Sequence, residues 1–501
     1  MDKLLLKSIF IVYCTLISIS GVAQKSSSYF VEYSPECFEA YTMLSDLKLD
    51  SASLLIDIAK KEDPFNLAVV HLENYLDFFE LFIGEDFEAF ERLSKNKHKR
   101  IKLLRKKLPD SNPYKKFLLA EIHLQWALIR SKFDQYFGAS REIYTAYNLL
   151  VDNKHQFPDF IYNNKSLSLM HALIETITIP GVVKSIFGIE GSIEQGRSEI
   201  EELIEYAKHE AFIFSREVDA IYGFILFFQC NEQDASKEYI LHSSLVPAES
   251  LTATFVYTKL LQRSGSNDEA LEILNSRPKG SGYSEFHYLY FLEGLSHLRN
   301  MDASALEDLE FFVQNFNGRH YLKEAYQKIA WAHLIFNNDT TAYFQNMQTL
   351  LDAGHAVIDD DKQAEKEAKA EVIPEVNILK ARLLFDGGYY DRAASILNEA
   401  SYLSKGPYSL EYYYRLARIY QASQSYAKAE HYFLQVIEEG KLSNEYFACA
   451  SALQLGLIYE NLNDINTAID YYKLCLKLSP DSYKRSLHQK AKSGIQRHKK
   501  K

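Results

Sequence analysis

The chain has 501 residues, 47% of them hydrophobic, with 35 Tyr and 31 Phe against 11 Pro and 20 Gly. That balance provides apolar surface for a large core and few helix breakers, which excludes disorder as its general state. A formal net charge of −11 argues against a general nucleic-acid binder, because an acidic surface repels a polyanion.

Lys3 and Lys7 flank a short apolar run from Ser8 to Ser20, and Gly21-Val22-Ala23 offers the small residues of a cleavage site. Residues 1–23 therefore read as a secretory signal, with Gln24 the first mature residue. An exported protein is expected, periplasmic or envelope-associated if the source is bacterial. The run falls short of the ~20 residues that span a bilayer, so an uncleaved anchor is the lesser reading. Cys14 follows Tyr13, where lipid attachment needs a small residue. Cys37, Cys230, Cys449 and Cys475 are too scattered for a disulfide framework, and no CxxC occurs. Cys475 reads as a packing residue, with a Cys449–Cys475 bridge as the alternative.

Residues 24–112 form an N-terminal helical region. Ser34-Pro35-Glu36, Asp63-Pro64 and Asn112-Pro113 each set a capping side chain before a proline at the first helical position. Leu67, Val70, Tyr75 and Phe78 recur at helical intervals, with only His71 and Asn74 breaking the apolar stripe. The pattern predicts an antiparallel pair over Phe65–Phe82 and Asp86–Leu108, followed by a basic loop around Asn96–Arg100 or a basic helical face.

Degenerate repeats follow over 113–350. Trp126, Ala127, Ala139, Ile143 and Ala146 share a small-residue spacing, and Ala127 to Ala139 is the same step as Gly223 to Ala235 and Gly456 to Ala468. Second-helix alanines then fall at Ala235, Ala270, Ala305, Ala342, Ala393, Ala429 and Ala468. Their separations are 35, 35, 37, 51, 36 and 39, close to one repeat length in all but one step. The long step holds a charged insertion at 351–373. Asp359, Asp360 and Asp361 there lack the spaced ligands, Gly and terminal Glu of a calcium loop, so a solvated loop or short charged helix is expected.

A second departure spans 157–196, with an apolar helix at Leu167–Ile179, a turn at Pro180-Gly181, the Ile186–Ser192 segment and a helix at Ile193–Lys208. Gly188, Gly191 and Gly196 do not make a dinucleotide fingerprint, since no strand precedes them.

The most regular part is 374–480. Its last unit carries Ala452, Leu455, Gly456, Tyr459, Ala468, Tyr472, Cys475 and Pro480. These stand at the intervals of W-x2-L-G-x2-Y, A-x3-F and P within about 34 residues, with Ala452 replacing the Trp. The stretch resembles the tetratricopeptide repeat (TPR) family. The 157–196 segment is similar to a eukaryotic TPR family linked to the outer mitochondrial surface and inclusion-body clearance.

The first resemblance implies an all-α fold, an α-solenoid of antiparallel helix pairs whose first helices line a concave face. In TPR families positions 2, 5, 9 and 12 of that helix commonly meet ligands. Here they are Glu375, Ile378, Arg382 and Phe385, then Glu411, Tyr414, Arg418 and Gln421. Arg382, Tyr414 and Arg418 are the candidate partner-binding residues, for forked hydrogen bonding and aromatic contact. The alternative pairs the two arginines internally with Glu375 and Glu411. The Lys and Asn of the chaperone-tail clamp are absent, so that peptide class is not carried over.

Chemistry is not signalled. The 15 His include no H-E-x-x-H, and no Walker loop or G-x-S-x-G turn occurs. No metal, cofactor or catalytic residue is expected, and His171, His297 and His333 read as core or groove residues. Residues 481–501 predict a capping helix from Tyr483 to Gln496 and a basic end. Lys484, Arg485, Lys490, Lys492, Arg497 and Lys499 to Lys501 contain no acidic neighbour.

The expected function is an exported, non-catalytic scaffold binding a protein or peptide on its concave face. One alternative is an envelope-associated assembly or transport factor making peripheral membrane contact through the basic C-terminus. The other is an enzyme with an unrecognised site.

Overall fold

The computed structural model describes residues 28–174 and 190–498. The signal segment, the Pro180-Gly181 turn and Lys499 to Lys501 lie outside the described residues. Within them the chain is a succession of α-helices, and the one extended pairing is a single bridge between Phe30 and Asn66.

The helices stack as antiparallel pairs. The N-terminal pairs are α1 (Pro35–Ser45) with α2 (Leu49–Glu62), α3 (Ala68–Gly84) with α4 (Phe87–Lys107), and α5 (Pro113–Lys132) with α6 (Tyr136–Gln156). Next come α7 (Asn164–Ile174) with α8 (Ile193–His209), α9 (Ser215–Phe224) with α10 (Gln233–Leu241), and α11 (Leu251–Arg263) with α12 (Asn267–Asn275). The middle holds α13 (Tyr288–Arg299) with α14 (Ala305–Asn315), then α15 (Leu322–Ala332) with both α16 (Thr340–Asp352) and α17 (Asp359–Ala370). The regular array is α18 (Val376–Asp386) with α19 (Tyr390–Glu399), α20 (Ser409–Ala422) with α21 (Tyr426–Gly440), and α22 (Phe447–Asn461) with α23 (Ile465–Lys477); α24 (Lys484–Arg497) closes the chain.

The caps explain several starts. Ser34 and Asn112 accept backbone N–H bonds ahead of Pro35 and Pro113, as expected. Asp63-Pro64 does not open a helix: Asp63 ends α2, its carboxylate accepts from the Phe65 amide, and α3 begins only at Ala68. Asn96–Arg100 is a helical face rather than a loop, and it turns partly inward. Lys97 is buried against Glu142, and Arg100 bonds Asp77 at 2.5 Å.

Ala270, Ala305, Ala393, Ala429 and Ala468 are fully buried where helix pairs cross. The series slips twice. Ala235 is exposed, and Ser236 takes the buried place by donating to the Gly223 carbonyl at 2.8 Å. Ala342 is only half-buried beside fully packed Tyr343. Ile143 likewise faces solvent. The charged insertion is neither a loop nor solvated throughout. Within α17 Asp361 is buried and accepts the Tyr321 and Glu324 amides at 2.9 Å each, capping α15, and Glu367 accepts the Trp331 indole N–H at 2.6 Å. Cys449 and Cys475 pack as thiols with their sulfurs 3.6 Å apart.

Distant parts of the superhelix also meet. Gly265 and Gly388, both with positive φ, bring two inter-helix loops together so closely that a Cβ on Gly388 would lie 1.8 Å from the Gly265 carbonyl oxygen. The N-terminal pairs fold back on the middle, where Arg216 reaches Asp46 at 2.5 Å and His320 reaches Glu85 at 2.7 Å.

At the centre of this contact Lys165 on α7 is 1% exposed and bonds Glu121 on α5 and Glu217 on α9, both at 2.7 Å. Tyr41 and Tyr75 add donors to Glu217 at 3.0 and 2.6 Å. Removing the cation leaves buried Glu121 and half-buried Glu217 without their common partner. Lys165→Met is expected to cost roughly 3–5 kcal/mol, measured by urea unfolding, and adding Glu121→Gln is expected to restore part of it.

Candidate interaction surface

Arg382 stands on α18, and Tyr414 and Arg418 on α20. Neither arginine makes the internal pair that its spacing allowed. Glu375 caps α18 by accepting the Ile378 amide at 2.7 Å, and Glu411 accepts from Arg415 at 2.7 Å. Arg382 lies over the Trp331 ring at 5.2 Å, with Asp386 a distant 4.0 Å away. Arg418 stacks on Phe385 at 4.8 Å and donates to the Tyr414 hydroxyl at 3.2 Å. Its Nε and the Gln421 Oε1 are buried with no hydrogen-bond partner among the described residues.

Tyr414 turns toward the core. It is 4% exposed, with its ring 5.4 Å from Phe447 and 6.2 Å from Phe433. Its hydroxyl props Arg418, and its ring belongs to the core.

Other cations stand on the first helices of neighbouring pairs. Lys328 rides over Trp331 at 3.9 Å, and Lys259 donates to the Tyr288 hydroxyl at 3.2 Å. Arg299 keeps one buried Nη without a partner among the described residues. Arg263 and Arg299, at the ends of α11 and α13, are 36 residues apart, as are Arg382 and Arg418. That recurrence at repeat length was a legible signal beyond the positions chosen.

These charges act on one another across the groove. Desolvation pushes Lys259 down to about 8, with repulsion from Arg263 and Arg299 contributing. Lys490, on α24, keeps solvent-accessible surface yet is walled in by charges from α11, α17 and α20. It too is pushed down to about 8, by desolvation and then by Arg263 and Arg418. It therefore faces the water of the groove. The acids that face them are Asp360, beside both lysines, and Glu324, beside Lys259 and itself raised by burial.

Two stretches of the array, residues 410–439 and 450–482, match the family model of the tetratricopeptide repeat. The chain carries tetratricopeptide repeats. They coincide with α20–α21 and α22–α23, the pairs that carry Tyr414, Arg418 and the packed Gly456–Ala468 crossing. No curated protein matches the chain.

The final TPR pair seats α24. Tyr472 is fully buried between two glycines: a Cβ on either Gly456 or Gly494 would lie 2.4 Å from its ring. Glu460 accepts from Arg497 at 2.7 and 2.6 Å, from His498 at 2.8 Å, and from the Tyr472 hydroxyl. Arg497 also donates to the Gln229 carbonyl at 3.1 Å, and Ser493 to the Gln229 side chain at 3.4 Å. Gln229 ends a π-helical turn, Ile225–Gln229, that nothing in the spacing announced. The described part of the basic end is thus a docked helix, with Lys490 exposed and Arg497 bonded internally.

His171 and His297 are bound to Glu199 and Asp308 at 2.6 and 2.7 Å. Among the described residues no cluster of three His, Cys, Asp or Glu side chains is placed to hold a metal, and no helix is long and apolar enough to cross a membrane.

Burial alone would raise the Glu460 carboxyl, but Arg497, Tyr472 and His498 outweigh it and hold it below its ordinary value. Its stabilisation is complete above the ordinary carboxylate range and fades as pH falls through the lowered value. Glu460→Gln is expected to loosen α24 by roughly 3 kcal/mol and to remove that acid dependence. Amide hydrogen exchange across 484–497, measured against pH, checks both.

Proposed function

We propose that the chain is an exported, non-catalytic TPR scaffold whose concave groove holds an acidic segment of a protein partner. Tetratricopeptide repeats are protein-interaction modules, which supports the broad role. The observation that carries the finer reading is the paired recurrence of arginines at repeat length, Arg263 with Arg299 and Arg382 with Arg418, with buried donors on Arg299 and Arg418 that lack acceptors among the described residues.

Arginine suits this work because its planar fork presents two parallel donors to a carboxylate, and it is weakly hydrated enough to be held against an aromatic plate. Trp331 and Phe385 are those plates. Carboxylates spaced along an extended segment would meet successive arginines, so affinity would come from several modest contacts on one rigid support. Export rests on the N-terminal signal pattern, and the absence of catalysis on the lack of any reactive motif.

Binding of a fluorescent acidic peptide, followed by anisotropy, tests the groove. Arg382→Ala with Arg418→Ala is expected to weaken it by about tenfold or more, and Tyr414→Phe by much less. Affinity is also expected to fall as pH rises through about 8, where Lys259 and Lys490 lose charge. Affinity indifferent to the arginines would end this reading.

A further inference from the structure

A cavity of about 550 Å³ opens between the insertion helix α17 and the first turn of α24. Lys362 and Lys366 line it from one side, and Lys484, Arg485 and His488 from the other. Asp359 and Asp481 are the carboxylates in the same wall, so four permanent cations face two anions. The residues meet only because the superhelix brings α24 back across the insertion.

The cations are poorly matched by what surrounds them. Lys362 lies 4.0 Å from Asp359, and Lys366 lies 3.8 Å from Glu445 and 3.5 Å from the Ser482 hydroxyl. Lys484 donates to the Ser479 hydroxyl at 2.6 Å. Arg485 is exposed and has no carboxylate within 4.0 Å among the described residues. Elsewhere the chain brings its inward cations much closer, as at Lys165 and Arg497, whose carboxylate contacts are 2.6–2.7 Å. The spacing here leaves room between the cations and their nearest anions.

We propose that this cleft binds a ligand bearing a dianionic phosphoryl group. With Glu445 beside Lys366 the cleft keeps a net positive charge, and a phosphoryl group meets its several donors with three terminal oxygens where a carboxylate offers two. Its oxygens accept from ammonium and guanidinium donors on both helices, the charge-assisted geometry in which Lys and Arg are strongest. The volume lies in the range of small-molecule sites, about 300–1,000 Å³. Tyr483 and His488 are the rings in the lining and no aliphatic side chain joins them, so the cleft offers little to an apolar ligand. Bound there, the group would tie α17 to α24. Arg382 and Arg418 do not line the cleft, although its Tyr483 also faces Arg382, and the proposal does not depend on the groove holding an acidic segment.

The phosphoryl group has two sources, a soluble phosphate compound or the headgroup of a lipid, and the test separates them. The full mature chain is titrated with pyrophosphate by calorimetry and thermal melting, and is sedimented with vesicles containing phosphatidic acid. Two variants remove the cleft from either side: Lys484→Ala with Arg485→Ala, and Lys362→Ala with Lys366→Ala. A control, Lys102→Ala with Arg105→Ala, removes basic side chains from the exposed face of α4.

Pyrophosphate is expected to bind and to raise the melting temperature, with affinity falling about tenfold or more in both cleft variants and unchanged in the control. Vesicle binding that follows the same pattern assigns the group to a lipid; pyrophosphate binding without vesicle binding assigns it to a soluble compound. No binding of either probe, or losses equal in the cleft variants and the control, overturns the proposal. Circular dichroism of each variant separates lost binding from lost folding.

Discussion

One carboxylate governs how the chain ends. Glu460 gathers donors from Arg497, His498 and Tyr472, and through Arg497 it ties the last TPR pair to the backbone of Gln229, far back in the chain. A buried acid is costly unless its lone pairs are met, and here four donor bonds meet them. The seating of α24, which carries Lys490 and one wall of the cleft beside α17, rests on that anchor.

An ordinary solenoid is quasi-one-dimensional, each repeat touching only its neighbours, and unfolds from its ends or in pieces. This chain adds cross-links between remote repeats. Arg216 with Asp46, His320 with Glu85 and the Lys165 cluster join the first pairs to the middle, as Arg497 joins the end. Many of these links are ionic or hydrogen-bonded and sit within an aromatic core. Such contacts need fixed geometry, so they define register as much as they add stability.

The fold was legible because its determinants are local. Small residues where helices cross, as at Gly456 and Ala468, and proline after a capping side chain need only spacing to be read. The failures are of the same local kind: Ser236 can replace an alanine because a hydroxyl satisfied by the Gly223 carbonyl packs almost as compactly, and Asp63 can stop a helix as readily as start one. The candidate surface was legible in part. The places of Arg382 and Arg418 on first helices follow from the repeat, but the burial of Tyr414 does not, because a residue at such a position can turn into the next pair. Lys490, the cleft and the π turn were out of reach, since they depend on superhelical pitch summed over many pairs. No spacing within one repeat reports that sum.

The docking of α24 bears on kinetics as well as shape. For the acidic segment proposed above, a helix bolted across the groove would separate how firmly the guest is held from how fast it arrives. A chain with a free end can thread beneath the bolt, whereas an internal loop must wait for the Glu460 anchor to open. Arrival then takes the rate of that opening, and departure is slowed by the same barrier, so residence can be long even where each arginine contact is modest.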